Sequence, residues 1–259
     1  FYGEGWTMNT EVTKPGYTMA TQVNSTQTPG FAYFSDTIRD LLKGSVFNHE
    51  TGYVSGAQGL EAKLEKCFMG LSPDWCTTPA QTVNYASCHD NMTLIDRIAV
   101  STPDASRADQ IKMNNLSAAI YMTSEGIPFM QAGEEMLRTK VKSDGSFDHN
   151  SYSSGDKINQ LKWEDLAKDE YQQVFEYYKG LIAFRKAHGA LRLTNAADVR
   201  SNVVPSKGMP TNVVAFYING GVNGETAEAL YVIFNANPEA AEITLPEGKW
   251  NVYIDGEKA

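Results

Sequence analysis

Basic residues are scarce in this chain: 22 Lys and Arg stand against 31 Asp and Glu, a formal net charge of −9. With neither a basic surplus nor a basic stripe, a nucleic-acid partner is not expected. Long apolar runs are missing as well. No stretch approaches the roughly eighteen consecutive apolar residues of a membrane span, so no membrane partner is expected. Cysteine is limited to Cys67, Cys76 and Cys88. At most one internal disulfide would leave a thiol over, and Cys67 and Cys76 read either as a bridge across their Gly/Pro-containing loop or as two reduced thiols. The absence of CxxC and of paired Cys/His spacing argues against a structural zinc. A Gly-rich phosphate loop, a GxSxG elbow and an HExxH pair are absent too, as are internal repeats and low-complexity tracts.

What remains is a chain of 259 residues, 42% of them apolar. That is enough for a real core, in one large domain or one domain with a small companion. The chain starts on Phe1-Tyr2-Gly3-Glu4, which reads as the end of a strand entering a turn, with no initiator Met or leader before it. The expectation is therefore a piece of something longer.

Two textures follow one another. Up to about Gly189, short apolar runs alternate with helical patterns. Phe31–Phe34 is strand-like and is followed by Ser35, an N-cap signal, and a helix over Thr37–Lys43 that stops at Gly44. Further helices are predicted over Gln58–Met69, Ala105–Ser124 and Glu170–His188, and strands over Thr82–Ala86 and Gly126–Ala132. Strands separated by helices imply an α/β fold with a parallel sheet. Beyond Gly189, strand-like runs at Asn212–Asn219, Glu228–Phe234, Glu242–Leu245 and Lys249–Ile254 are punctuated by turn signals such as Asn223-Gly224 and Asn237-Pro238. They predict a small antiparallel β-sandwich, cut short at Asp255-Gly256.

Chemistry-bearing residues gather at strand ends. In Gly3-Glu4-Gly5-Trp6, glycines flank a carboxylate and leave the backbone open to a ligand, and the Trp offers a flat face on which a sugar ring stacks. The same residues also read as a turn with a solvated Glu and a core Trp. Asn84 to Asn91 delivers His89, Asp90 and Asn91 to the end of a short strand, where parallel barrels build their active sites. The competing reading is a capped loop in which Asp90 or Asn91 starts the next helix. Asn150 to Asn159 is a polar loop whose Asn, Tyr and Asp suit sugar hydroxyls, or simply a loop. Asp144–Asp148 lacks the ligand spacing and closing Glu of an EF-hand. Glu134-Glu135 reads as the acidic start of a helix.

Taken in order, Phe1–Trp6, Phe34–Gly44, Tyr85–Leu94, Gly126–Glu134, Leu137–Lys140 and Asn150–Tyr152 resemble the type I pullulanases of the alpha-amylase superfamily. The resemblance runs from residue 1 to about 190, and the strand-rich tail falls where that family has a C-terminal β-domain. It implies a (β/α)8 barrel that hydrolyses α-1,6-glucosidic branch points of pullulan, starch or glycogen with retention. Residues 1–190 would be the C-terminal half of that TIM barrel, strands five to eight, and residues 191–259 an incomplete β-sandwich domain.

The resemblance also assigns roles. Glu4 matches the acid/base, which requires a raised pKa, and Asp90 the carboxylate that stabilises the transition state. His89 would donate to hydroxyls of the same ring, with Trp6, Asn91, Asn150 and Asp156 as further substrate-binding candidates. The family's nucleophilic Asp, in a Gly-Phe-Arg-Phe-Asp type of stretch upstream, has no counterpart. The chain alone is therefore expected to be inactive unless the missing N-terminal half of the barrel is supplied. Alternatives are an isoamylase-like or amylopullulanase activity, or a non-catalytic carbohydrate-binding piece. No cofactor is implied; calcium is left open, since some relatives bind it and no clear motif is visible. The resemblance leaves the compartment open too, inside or outside a bacterial cell.

Overall fold

Four short strands set the frame of the computed structural model, which describes residues 1–8 and 14–259. They are β1 (Tyr2–Gly3), β2 (Ala32–Phe34), β3 (Thr82–Asn84) and β4 (Ile127–Pro128), paired in parallel in that order. Parallel neighbours need crossovers, and helices supply them. Between β2 and β3 lie α1 (Asp36–Lys43) and α2 (Glu61–Phe68); between β3 and β4 lie α3 (Leu94–Ser101) and α4 (Arg107–Thr123). The carboxyl ends of all four strands therefore share one edge of the sheet.

The helix boundaries follow from local chemistry. Ser35 Oγ accepts from the Ile38 amide at the start of α1, and Gly44 ends it at φ +86°. A Cβ on Gly44 would lie 2.1 Å from the Glu50 carbonyl, so no other residue fits there. Thr93 caps α3 by accepting from the Asp96 amide, so neither Asp90 nor Asn91 does so. The run Gly126–Ala132 shrinks to two strand residues, since Pro128 has no N–H to give a ladder. Glu134-Glu135 opens only a single 3-10 turn, Glu134–Met136.

After the polar turn α5 (Asp156–Asn159) and the long α6 (Asp169–Ala187), α7 (Ala196–Asn202) leads into an antiparallel sheet. Its strands are β5 (Val203–Pro205), β6 (Val213–Asn219) and β7 (Ala229–Asn235). The expected strands at Glu242–Leu245 and Lys249–Ile254 do not form. Their side chains go elsewhere: Trp250 packs on Tyr217 and Tyr231, Tyr253 lies against Phe184 and His188, and the Tyr177 hydroxyl donates to the Asp255 carbonyl.

One continuous apolar core runs from Ile38, Leu42 and Leu64 through Ile120 and Tyr178 to Phe216 and Phe234. Phe68 stacks on Phe216 with ring centroids 3.9 Å apart. The fully buried Tyr53 hydroxyl donates between the carbonyls of Asn212, at 2.9 Å, and Phe234, at 3.0 Å. Tyr53→Phe withdraws that donor from two buried acceptors and should lower stability by about 1–3 kcal/mol, read as a reduced urea midpoint at unchanged slope. An unchanged midpoint would show that the hydroxyl contributes nothing.

Candidate functional site

Glu4 follows β1 directly and is exposed. The turn behind it depends on Gly5, at φ +81°, where a Cβ would press within 2.7 Å of the Tyr33 ring. Gly3 has no such constraint. The Gly5 carbonyl accepts from the Gln22 amide at 2.7 Å, and Gln22 in turn donates to the Phe34 carbonyl and Asp36, tying this turn to the end of β2. Trp6 is half-buried beside it.

His89 and Asp90 project from the same edge, beyond β3. Both are exposed, with His89 Nε2 3.5 Å from Asp90 Oδ1. They border a cleft of about 220 Å³ lined also by Gln131, Arg138, Lys140, Asn150, Ser151, Tyr152 and Asn159. Of the candidates drawn from the sequence, the cleft brings together His89, Asp90 and Asn150. Trp6 and Glu4 stand outside its lining, Asn91 contributes its backbone rather than a wall, and Asp156 is exposed at the start of α5.

Hydrogen bonds fix the cleft walls. Asp148 accepts from the Asn150 amide and from Ser154 Oγ, which hold its carboxyl below the usual range. Asn159 donates to the Ser151 carbonyl, and Arg138 donates to the Asn159 carbonyl at 2.6 Å. Two buried donors, Gln131 Nε2 and Arg138 Nε, have no acceptor among the described residues, and both belong to cleft-lining side chains.

Beneath the cleft lie groups that sequence reasoning passed over. Lys140, 1% exposed, donates to the His89 carbonyl at 2.7 Å and the Asn91 carbonyl at 2.8 Å. Its own amide donates to Asp96 Oδ2, whose other oxygen accepts from Thr139 Oγ1. Burial, reinforced by the neighbouring Arg138 charge, lowers the Lys140 pKa. Glu134 opens a 3-10 turn, but its carboxyl is turned inward, away from solvent. It is buried and accepts from Ser87 Oγ, Tyr121 and Tyr178, and its burial raises its pKa. The segment Leu137–Lys140 carries part of the pullulanase resemblance, but nothing in its spacing distinguishes Lys140 from a solvated lysine. Cys67, Cys76 and Cys88 are all free thiols. Among the described residues no group of three or more His, Cys, Asp or Glu side chains is placed to hold a metal ion.

The chain is 31% identical to the pullulanase of Bacillus subtilis (strain 168) across 95% of its own length, which is 34% of that protein. It superposes on apo pullulanase from Paenibacillus barengoltzii with a TM-score of 0.89 and 39% identity, covering 99% of this chain and 39% of that one. The same enzyme solved with maltohexaose and alpha-cyclodextrin matches with a TM-score of 0.86 and 38% identity, over 95% and 38% of the two chains. The chain thus spans between 18% and 39% of the length of the pullulanases it matches. Residues 199–258 match the family model of the pullulanase all-beta domain. Along nearly all of its length the chain is similar to part of the pullulanases, and its residues 199–258 match their all-beta domain.

Proposed function

We propose that this chain supplies the acid/base and the transition-state carboxylate of a starch-debranching glycoside hydrolase, one that cuts α-1,6-glucosidic bonds with retention. The observation that carries the reading is the common edge of the parallel sheet: Glu4 leaves β1 and His89-Asp90 leaves β3 on the same side. In this reading residues 1–190 are the C-terminal half of a (β/α)8 barrel and residues 191–259, with their three-stranded antiparallel sheet, an incomplete β-domain companion. The active rim of such a barrel is the carboxyl end of its strands.

Glu4 gives its proton to the leaving glycosidic oxygen and then takes one from the incoming water. Asp90 stabilises the oxocarbenium-like charge and, with His89, holds hydroxyls of the ring being cleaved. The maltohexaose and alpha-cyclodextrin bound to the Paenibacillus barengoltzii enzyme favour an α-glucan as the substrate. Trp6, Asn91 and Asp156 are assigned to the rim outside the cleft. The nucleophilic carboxylate must come from the complementary barrel half, so this chain alone has no turnover.

An isoamylase-like activity is the second reading, favoured by 28% identity to the isoamylase of a Flavobacterium across 84% of this chain. The test is to measure the intact mass and pullulan hydrolysis of the chain alone, then of the chain joined to a complementary barrel half. The expected result is maltotriose release only from the joined protein. Cleavage by a polypeptide with the mass of these 259 residues would overturn the division of labour. Debranching of amylopectin without attack on pullulan would favour the isoamylase reading, and maltotriose binding without any turnover would leave a carbohydrate-binding piece.

A further inference from the structure

We infer that Lys140 is a positioning residue whose buried ammonium sets the direction in which Asp90 points. The inference rests on the debranching assignment of Asp90. Lys140 Nζ bonds the two carbonyls that bracket that residue, His89 O at 2.7 Å and Asn91 O at 2.8 Å. The His89 carbonyl lies in the peptide plane that enters Asp90 and the Asn91 carbonyl in the plane that leaves Asn91. One ammonium thus clamps both ends of the Asp90-Asn91 pair and, with φ and ψ as the only soft backbone dihedrals, narrows the directions open to the Asp90 Cα–Cβ bond. Asn91 sits at φ +60°, in the left-handed region, so its carbonyl turns back toward the ammonium instead of continuing the chain's direction.

The anchor is itself immobile. The Lys140 amide bonds Asp96 Oδ2 in the first turn of α3, and the Lys140 carbonyl accepts from the Asp148 amide at 2.9 Å. Ser87, just upstream on the same loop, is held from the other side by Glu134. The loop after β4 therefore grips the His89-Asp90 loop at both ends. Among the described residues no other side chain donates to the His89 or Asn91 carbonyl. Asp90, 60% exposed at its side chain, also has His89 Nε2 at 3.5 Å from its carboxyl and Cys88 Sγ at 4.0 Å from its carbonyl, and Lys140 holds the backbone on which those contacts are made.

A neutral side chain of similar length breaks the grip, while an arginine keeps a cation there. Lys140→Met and Lys140→Arg are compared with the parent sequence by hydrogen exchange of residues 86–92 in this chain. In the joined, catalytically complete protein they are compared by kcat and KM on pullulan. Lys140→Met should speed exchange in that segment at least tenfold, with peptides from α4 and β6 unchanged, and lower kcat by about 10–100-fold with a smaller change in KM. Lys140→Arg should recover part of both.

Unchanged exchange in Lys140→Met would overturn the inference, as would faster exchange with unchanged kcat. If Lys140→Met fails to fold, Lys140→Arg decides alone: native exchange outside residues 86–92 with lowered kcat supports the inference, and full kcat overturns it. A joined parent protein without pullulan activity would instead refute the debranching reading, and the exchange result would still stand by itself.

Discussion

Glu4→Gln in the joined, catalytically complete protein should lower kcat on pullulan by about 10³-fold, within the 10²–10⁴ range of general acid–base catalysis. The substitution keeps size and shape and removes only the ability to give and take a proton. Glu4 is exposed and, among the described residues, makes no side-chain hydrogen bond, and the turn is held by Gly5, its carbonyl bonded to Gln22. Thermal stability should therefore not move. The defect should also depend on the leaving group: an α-glucosyl fluoride needs little protonation as it departs and should lose much less in its first step than pullulan does. Retention of more than a tenth of the pullulan rate would remove Glu4 from the acid/base role. An equal loss on both substrates would point to misfolding of the rim.

The sequence made some of this fold legible and hid other parts for identifiable reasons. α1 was readable because Ser35 and Gly44 are local signals acting through their own backbone neighbours. The long α4 and α6 were readable because their buried positions recur at helical spacing, as in Val174, Tyr177, Tyr178 and Leu181. The strand runs at 242–245 and 249–254 misled because aromatic and β-branched residues also serve when a segment packs across a helix, as Tyr253 does on Phe184. The position of Glu4, His89 and Asp90 at the carboxyl edge of the sheet could be read because they follow directly on short strand-like runs. Lys140, Glu134 and Gln131 could not. Their burial is created by contacts with residues distant in sequence, and a lysine before Val141 or a glutamate after Gly133 looks like surface in isolation.

Glu125 is the extreme case of that concealment, and it makes the protein's stability fall as pH rises. Between Ser124 and Gly126 it reads as a turn residue, yet it is fully buried. Its Oε2 accepts from the Leu193 amide at 2.7 Å, while Oε1 has no partner among the described residues. Burial pushes its pKa up to about 8, against a partial counter-effect from the Leu193 amide and the Arg185 charge. Arg185 makes no direct pair with it, being bonded to the carbonyls of Met122, Ser124 and Gly126. The folded protein therefore keeps a proton there that the unfolded chain releases above its ordinary value of 4.5.

Because the folded state binds more protons across this window, stability falls with rising pH. The contribution of Glu125 is complete below about pH 4.5 and is lost by about pH 8, a change on the order of 3–5 kcal/mol. Lys43, buried and lowered to about 8, works the other way only above that pH. Glu125→Gln keeps an acceptor for Leu193 and cannot ionise. Relative to the parent it should be equal or slightly weaker at pH 5, where its amide hydrogens need acceptors, and more stable by a few kcal/mol at pH 8.5. Urea midpoints of both proteins at the two pH values decide it: parallel pH dependence would mean that Glu125 does not hold a proton in the folded state, whereas curves that cross between pH 5 and 8.5 would assign that loss of stability to this one carboxyl group.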